Sequence, residues 1–292
     1  MNIIDEIKAS FKTGNTLTKL IYINLGVFLA INIAVIFLKL FGGEQHIATI
    51  ISYLSVPTSL KLLATKPWTL FTYMFTHFSF FHILFNILWL YWFGKIFLSY
   101  LSERQLLSVY ILGGLAGAFL YILSYNIFPG LKEQVSYSHA LGASAAVMAI
   151  VISIAVLVPD YRVYVFLIGP VKIIYVALVG FILSSLVDFS VNTGGKIAHI
   201  GGAAFGYLYT LRYNRGKDIS VGFSRITDGI FSIFKPGKKM KVTHKKPVDD
   251  FEYNKEKADQ QKEVDRILDK ISKKGYDSLT KEEKEMLFKM GK

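Results

Sequence analysis

Charged residues divide the first 212 residues into six long apolar stretches, and these constrain the fold more than any other feature. A helix needs about 20 predominantly apolar residues to cross a bilayer, where the backbone must satisfy its own hydrogen bonds. The candidate spans are Leu20 to Leu38, a stretch within Phe78 to Leu98, about Gln105 to Ser124, Gly142 to Val158, about Val171 to Val187, and Ile197 to Leu211. The sequence therefore predicts an all-α bundle of six transmembrane helices.

Composition agrees with a membrane protein and excludes several kinds of site. Of the 292 residues, 52% are hydrophobic and 18% are charged, which argues against a soluble enzyme. The chain has no cysteine, which excludes disulfides, zinc–thiolate sites and iron–sulfur clusters. It also lacks a His-Glu-x-x-His zinc motif, so we expect no metal and no cofactor. Any nucleophile must therefore be an oxygen.

Polar segments on both sides of the apolar region complete the domain organisation. The predicted parts are an N-terminal cytoplasmic amphipathic segment at 1–19, the six-span domain at 20–213, a basic juxtamembrane linker at 214–248, and a polar cytoplasmic helical hairpin at 249–292. Ten Lys or Arg and two acidic residues lie between Arg212 and Lys246, which favours membrane lipid over nucleic acid as a partner. In the hairpin, Gly275 is predicted to end the first helix, and Thr280 with Glu283 to cap the second. We expect the hairpin to dock a cytoplasmic partner.

The distribution of Lys and Arg predicts the orientation in the membrane. Basic residues concentrate on the side of Lys19, Arg104 and the cluster that begins at Arg212. Because loops rich in Lys and Arg stay inside, that side is predicted to be cytoplasmic. We therefore expect a multi-pass protein of the plasma membrane with both termini in the cytoplasm.

Polar side chains interrupt three of the spans at one depth. Ser144 lies near the start of the fourth span, His199 lies in the sixth, and His82 and Asn86 lie one turn apart in the second. At 1.5 Å per residue, Ser144, His199 and His82 each lie about 20–22 Å above the cytoplasmic ends of their helices, roughly 10 Å below the outer surface. Polar groups are costly at this depth, so these residues are functional candidates. A serine and a histidine at one level predict a nucleophile and its general base.

Short spans and small residues predict a cavity between closely packed helices. The fourth and sixth spans are too short to cover the bilayer, so protein or water must cover their outer ends. Small residues recur at four-residue spacing on these two spans, where they let transmembrane backbones approach. They are Gly142 and Ala146 on the fourth span, and Ala198, Gly202 and Gly206 on the sixth. The sequence therefore predicts a wet, outward-opening cavity in which Ser144 and His199 can meet.

The polar residues lie in three motifs that resemble those of the rhomboid family of intramembrane serine proteases. The motifs are His77-Phe-Ser-Phe-Phe-His82-Ile-Leu-Phe-Asn86, Gly142-Ala143-Ser144-Ala145, and Ala198-His199-Ile200-Gly201-Gly202-Ala203-Ala204-Phe205-Gly206. With the six-helix core, the resemblance covers about Lys61 to Tyr213. It implies that Ser144 is the nucleophile and His199 its general base, in a protease that cleaves transmembrane proteins near the outer face. It also implies that His82, Asn86 and the Ser144 N–H hold the oxyanion, and that Trp68 belongs to the long first loop as its anchor.

Two features depart from the family pattern. The family commonly has Gly directly after the serine and Tyr four residues after it, where this chain has Ala145 and Met148. It often has Arg after the loop Trp, where this chain has Thr69. Met148 is predicted to occupy the place of the tyrosine and to support His199. We expect His77 to lie higher, at the surface, where it supports the loop.

Other interpretations stay open. His82 and Asn86 also fit a role as hydrogen-bonding residues between helices. Asp188, near the outer end of the fifth span, is a candidate to orient His199, although an acidic residue of an interfacial loop is the simpler interpretation. The Gly113-Gly114-x-x-Gly117 stretch is better explained by helix packing than by a phosphate loop. The alternative function is a non-catalytic membrane chaperone or client-binding protein on the same scaffold.

Overall fold

The computed structural model describes residues 2–187, 192–223, 225 and 250–290, and the chain forms two compact units, 1–235 and 236–292. The first unit is mostly helical. Up to residue 213, its α-helices are α1 (Ile3–Thr13), α2 (Thr16–Leu40), α3 (Ile47–Leu54), α4 (Leu60–Thr65), α5 (Thr69–Thr72), α6 (Phe80–Tyr100), α7 (Glu103–Ile127), α8 (Ser144–Leu157), α9 (Ile173–Ser185) and α10 (Thr193–Tyr213), as far as the described residues show. Helices α2 and α6 to α10 lie at the positions of the six predicted spans.

Polar side chains cap the N-termini of several of these helices. Asn15 precedes α2 and accepts a hydrogen bond from the Thr18 N–H at 2.9 Å. Ser102 and Gln105 form a capping box at the start of α7. Asn192, with a left-handed φ of 52°, precedes α10 and caps it through its side chain. Each cap satisfies N–H groups that have no carbonyl partner within the first turn.

Three of the helices are long and apolar enough to cross a membrane by length and composition, namely α2, α6 and α7. Helices α8 and α9 are apolar but have only 14 and 13 residues. At 1.5 Å per residue, α8 extends about 21 Å, which is less than the roughly 30 Å of a hydrocarbon core. The chain is therefore a membrane protein with three clear candidate spans among its described residues, and the count of six spans stays a prediction.

Two short β-ribbons depart from the all-α prediction. The strands are β1 (Val56–Pro57), β2 (His139–Ala140), β3 (Arg162–Val165) and β4 (Gly169–Lys172). β1 pairs with β2, and β3 pairs with β4 in an antiparallel register that closes with Val165 opposite Gly169. The strands have two to four residues each, so they leave no alternating pattern long enough to distinguish them from loops.

The centre of the first unit lies where α7, α8 and α10 meet, and small residues let these helices touch. A Cβ added to Gly113 of α7 would overlap the Cβ of Ala149. A Cβ added to Gly202 or Gly206 of α10 would overlap the carbonyl oxygen of Ala145 or Ala149, respectively. Backbones can approach this closely only where side chains are absent or minimal. The predicted close approach of the fourth and sixth helices is confirmed, as is the packing role of the glycines on α7.

The segment between α2 and α6 is held together by contacts around one aromatic pair. The Trp68 Nε1–H donates to the Tyr53 carbonyl at 3.0 Å, and the two rings stack with centroids 6.2 Å apart. The Lys66 ammonium lies 4.1 Å from the Tyr53 ring centroid. The Thr72 hydroxyl donates to the Leu54 carbonyl at 2.9 Å. These contacts join α5 to α3, and the role of Trp68 as a functional loop anchor stays a prediction.

The second unit is a helical hairpin. Its helices are α11 (Asp250–Lys274) and α12 (Lys281–Met290). Gly275 follows α11 with a φ of 77°, which favours glycine, and the Thr280 N–H donates to the Glu283 carboxylate at 2.8 Å. The Lys270 ammonium, bonded to Glu283 at 2.8 Å, and the Thr280 N–H hold the pKa of Glu283 below its usual value. The predicted helix end at Gly275 and cap at Thr280 are confirmed, whereas most of the predicted basic linker lies outside the described residues.

Candidate active site

Five of the predicted site residues line one cavity of the first unit. The cavity has a volume of about 620 Å³, and Ser144, His199, His82, Asn86 and Met148 face it. Its other wall residues are Phe81, Phe85, Trp89, Val147, Val151, Gly180, Leu183 and Ser184. The structure therefore brings together polar groups from α6, α8 and α10 that lie up to 117 positions apart in the sequence.

Ser144 is the first residue of α8, and the turn before it is fixed by backbone contacts. The Gly142 N–H donates to the Tyr73 carbonyl at 2.8 Å, and the Ala143 N–H donates to His77 Nε2 at 3.2 Å. Among the described residues, no side chain caps α8. The Ser144 N–H has no carbonyl partner within the helix, and the helix N-terminus favours negative charge. This geometry suits an oxyanion beside Ser144.

Gly142 leaves the space that the His82 ring occupies. It has a φ of +116°, a conformation that residues with a side chain rarely adopt. A Cβ at this position would lie 2.6 Å from Cε1 and 2.8 Å from Nε2 of His82. Glycine therefore lets the His82 ring rest directly on the turn that leads into Ser144.

His77 is buried, so its predicted position at the surface is wrong. Its side chain is 0% exposed, with Nδ1 3.4 Å from the Phe75 carbonyl and Nε2 facing the Ala143 N–H. Because a backbone N–H can only donate, Nε2 accepts and Nδ1 carries the proton. A histidine just before a span suggests solvent, but here backbone groups satisfy both ring nitrogens, which allows the ring to be buried.

Asn86 is connected to both neighbouring histidines. Its Nδ2 donates to the His82 carbonyl at 2.9 Å and lies 3.3 Å from His77 Nε2. The residue is buried on α6, and the His77 and His82 rings lie 5.0 Å apart between centroids. In this arrangement, Asn86 would have to leave one of these acceptors before it could donate to an oxyanion.

His199 is oriented by a backbone carbonyl of α9. Its Nδ1 lies 3.1 Å from the Ser184 carbonyl oxygen. A carbonyl can only accept, so Nδ1 carries the proton and Nε2 keeps a free lone pair, which is the tautomer that a general base needs. Within the described part of the chain, no hydrogen bond joins Ser144 to His199, and the two residues meet only as walls of the same cavity.

The Ser184 carbonyl was missed by the sequence analysis, which considered Asp188 as the group that orients His199. Asp188 lies outside the described residues. Nothing in the sequence marks a backbone carbonyl as a partner, since every residue carries one. The contact depends on how close α9 lies to His199 in the fold, and not on the type of residue at position 184.

Comparison with known proteins identifies the family. Residues 64–216 match the model of the Rhomboid domain. The chain belongs to the rhomboid family. It is similar to "RHOMBOID-like protein 12, mitochondrial" of Arabidopsis thaliana, with 30% identity over 159 residues, 51% of this chain and 47% of that protein. It is also similar to "Presenilin-associated rhomboid-like protein, mitochondrial" of Homo sapiens, with 27% identity over 172 residues, 55% of this chain and 41% of that protein.

The similarity covers only part of this chain and only part of its relatives. The chain spans less than half of the length of these two relatives. Outside the Rhomboid domain, residues 247–291 match a second model, the family of unknown function DUF6576. That match corresponds to the helical hairpin of the second unit.

In this rhomboid-family chain, the methyl group of Ala145, directly after the serine, fits because a glycine of α7 faces it. Gly202 of α10 accommodates the Ala145 carbonyl oxygen, and a Cβ at Gly117 of α7 would lie 2.6 Å from the Ala145 Cβ. Met148, one turn after Ser144 along α8, is buried and forms part of the cavity wall. The methyl group of Ala145 therefore occupies space that Gly117 of α7 leaves free, because glycine has no side chain.

Proposed function

We propose that the chain is an intramembrane serine endopeptidase that cleaves transmembrane proteins near the outer membrane face. The observation that supports this most is the convergence of Ser144 from α8 and His199 from α10 on one cavity. The Nδ1 contact with Ser184 leaves Nε2 of His199 available as a base. Membership of the rhomboid family adds to this support.

The reaction proceeds through an acyl-enzyme. The Ser144 Oγ attacks the scissile carbonyl carbon while His199 Nε2 takes the hydroxyl proton. The C–N bond then breaks, and the proton passes from His199 to the leaving amine. Water attacks the resulting ester and gives a proton to His199, which returns it to Ser144 Oγ as the carboxylic acid leaves. The Ser184 carbonyl stabilises the imidazolium by accepting from Nδ1–H throughout.

His82 and the Ser144 N–H are the main donors to the developing oxyanion, and a preorganised donor contributes about 10²–10³ in rate. Asn86 takes a smaller share, because its amide already contacts His77 and the His82 carbonyl. His82→Ala should therefore lower turnover by more than Asn86→Ala does. Unchanged turnover per folded molecule with a lower unfolding temperature in both variants would favour the interhelical role instead.

The membrane orientation is a second part of the proposal. We propose the plasma membrane as the location, and the Lys and Arg bias supports cytoplasmic termini, whereas the names of both relatives include the word mitochondrial. The chain has no cysteine, so single cysteines can report the side of the membrane. A membrane-impermeant maleimide should label Lys132→Cys on intact cells and Arg215→Cys only after permeabilisation. The opposite labelling pattern would show that the protein has the opposite orientation.

We propose the remaining partners from the chemistry of the segments that would contact them. Transmembrane proteins are the substrates, anionic lipid contacts the basic linker, and a cytoplasmic protein docks on the C-terminal hairpin. We propose no cofactor, because the serine and histidine chemistry requires none.

Cleavage in liposomes tests the protease proposal. The full chain is reconstituted with single-span substrates, and Ser144→Ala and His199→Ala should each abolish cleavage without loss of folding. A fluorophosphonate should label the wild type at Ser144. The matched control is His46→Ala, which changes an exposed histidine outside the cavity and should leave cleavage intact. Wild-type protein that binds substrate but never cleaves it would support the client-binding alternative, and wild-type rates in both dyad variants would refute the dyad.

A further inference from the structure

The β3–β4 hairpin has an exposed apolar tip. Tyr164 is 83% exposed, Phe166 83%, Leu167 89% and Ile168 74%. A turn in water usually carries Gly, Asn, Asp or Ser, and a two-stranded ribbon is only marginally stable alone. Four large side chains in five consecutive positions therefore indicate that this tip is covered by something apolar.

The backbone of the tip adds an independent indication. The Ile168 N–H donates to the Val165 carbonyl at 3.1 Å, which closes the turn, and Leu167 within it has a φ of 66°. This left-handed conformation favours glycine or asparagine and is unfavourable for leucine. The chain keeps a large apolar side chain where a polar or small residue would fit the turn better. A contact made by that side chain would account for it.

The tip lies beside a membrane helix rather than beyond its end. Val165 and Ile168 line an apolar groove with Gly180 and Leu183 of α9. Because β4 continues directly into α9 at Ile173, the chain reverses and the hairpin runs back along the helix. Gly180 is about 10 Å from the start of α9 along the helix axis. The apolar tip is therefore continuous with the apolar surface of α9.

The open end of the hairpin is charged. Arg162 and Lys172 lie opposite each other in the register, and Lys172 forms an ion pair with Asp160 at 2.7 Å. Pro170, opposite Tyr164, has no N–H that a lipid environment would leave unpaired. Basic residues at one end and apolar residues at the other match the headgroups and acyl chains of one leaflet.

We propose that the β3–β4 hairpin is a membrane anchor, with its apolar tip among the acyl chains of the leaflet at which α8 ends, and with Arg162 and Lys172 at the headgroups. Four strand residues at about 3.3 Å each span about 13 Å, enough to reach from the headgroups to the upper acyl chains. The ribbon has open edges, which keeps it in this outer zone and away from the bilayer centre. The anchor supplements α8 and α9, whose own lengths do not cover a bilayer.

Depth-dependent quenching tests this anchor in the full-length protein. Leu167→Cys is labelled with an environment-sensitive fluorophore and reconstituted in vesicles of phosphatidylcholine and phosphatidylglycerol that contain spin-labelled acyl chains. The matched controls are Leu29→Cys, which is exposed on the middle of α2, and Lys132→Cys, which is exposed in the loop after α7. The label at 167 should be quenched at least half as strongly as the label at 29 and several-fold more than the label at 132.

Three results would overturn the proposal. Quenching of the label at 167 by aqueous iodide, as strong as at 132 and with no quenching by the spin-labelled lipid, would place the tip in water. An emission shift that depends on protein density without lipid quenching would show that a second copy of the protein covers the tip. A Phe166→Cys label in a Leu167→Asn background provides a further measure, since asparagine suits the turn but not the acyl chains, and its lipid quenching should fall by about half or more. Unchanged quenching in that background would also contradict the anchor.

Discussion

The two sides of the candidate active site are packed differently. Ten of the 14 residues of α8 are buried, whereas only three of the 13 residues of α9 are buried. On the first, closely packed side, α7, α8 and α10 meet backbone to backbone, and on the second, loose side, α9 borders the cavity. The proposed nucleophile and base are both fixed on the closely packed side. The difference suggests that the reacting groups are held rigidly while the opposite wall can move to admit a substrate.

One hydrogen bond connects α9, on the loose side, to the proposed base His199. The Ser184 carbonyl belongs to α9, yet it is the group that orients His199 on α10. A movement of α9 that opens the cavity would therefore also change the environment of Nδ1. The comparison implies that substrate entry and readiness of the base are linked through this hydrogen bond.

Gly202→Ala should have the largest effect, because the new Cβ would overlap the Ala145 carbonyl, a backbone atom that cannot rotate away. The substitution should push α10 away from α8, lower the stability by about 1–3 kcal/mol and reduce turnover by about 10²-fold. Turnover and thermal unfolding in detergent measure both effects. Gly26→Ala on α2 is the control, since no atom lies within 4 Å of its added Cβ. Equal behaviour of the two variants would show that close packing at Gly202 is not needed.

Gly113→Ala on α7 should also destabilise the closely packed side, by about 1–3 kcal/mol, because its Cβ would overlap the Ala149 Cβ. The atoms next nearest to the added Cβ are 3.7 Å away, so one methyl group accounts for the conflict. The exchange variant Gly113→Ala/Ala149→Gly should therefore recover most of the lost stability. Both positions lie within helices, so the helix-propensity gain at 113 approximately offsets the loss at 149 in the exchange variant. No recovery in the exchange variant would contradict the proposed contact.

Met148 lies where the two sides meet, on α8 but facing the cavity. Met148→Ala should lower turnover by about 3- to 10-fold, because the void would loosen the support of His199. Met148→Tyr should keep wild-type activity or exceed it, since a ring can extend into the cavity. Turnover of both variants on one substrate provides the measurement. Inactivation by tyrosine together with no effect of alanine would mean that Met148 does not support the base.

The sequence predicted the closely packed side better than the loose side. The depth estimate for Ser144 and His199 depends only on helical rise and span ends, and the four-residue spacing of small residues predicts close approach directly. The β3–β4 hairpin and the Ser184 contact were not predicted, because short strands and backbone carbonyls leave no pattern in residue type. The burial of His77 was missed for the same reason, since its partners are the backbone groups of Phe75 and Ala143.

Gly180→Ala should have the smallest effect. The added Cβ would overlap an atom of another residue, as a Cβ added at Gly113 would. The atom in the way belongs to the outer edge of the Trp89 ring, which stacks on Phe93 with centroids 5.1 Å apart and borders the cavity. Because a side chain beside open space can shift and α9 is packed on few sides, the cost should stay below about 1 kcal/mol. Turnover should change by no more than about 3-fold, and Gly26→Ala again sets the baseline for the helix propensity gained. A loss at Gly180 as large as that at Gly113 would show that α9 is held as firmly as α8, and the proposed difference between a rigid side and a movable wall would then be wrong.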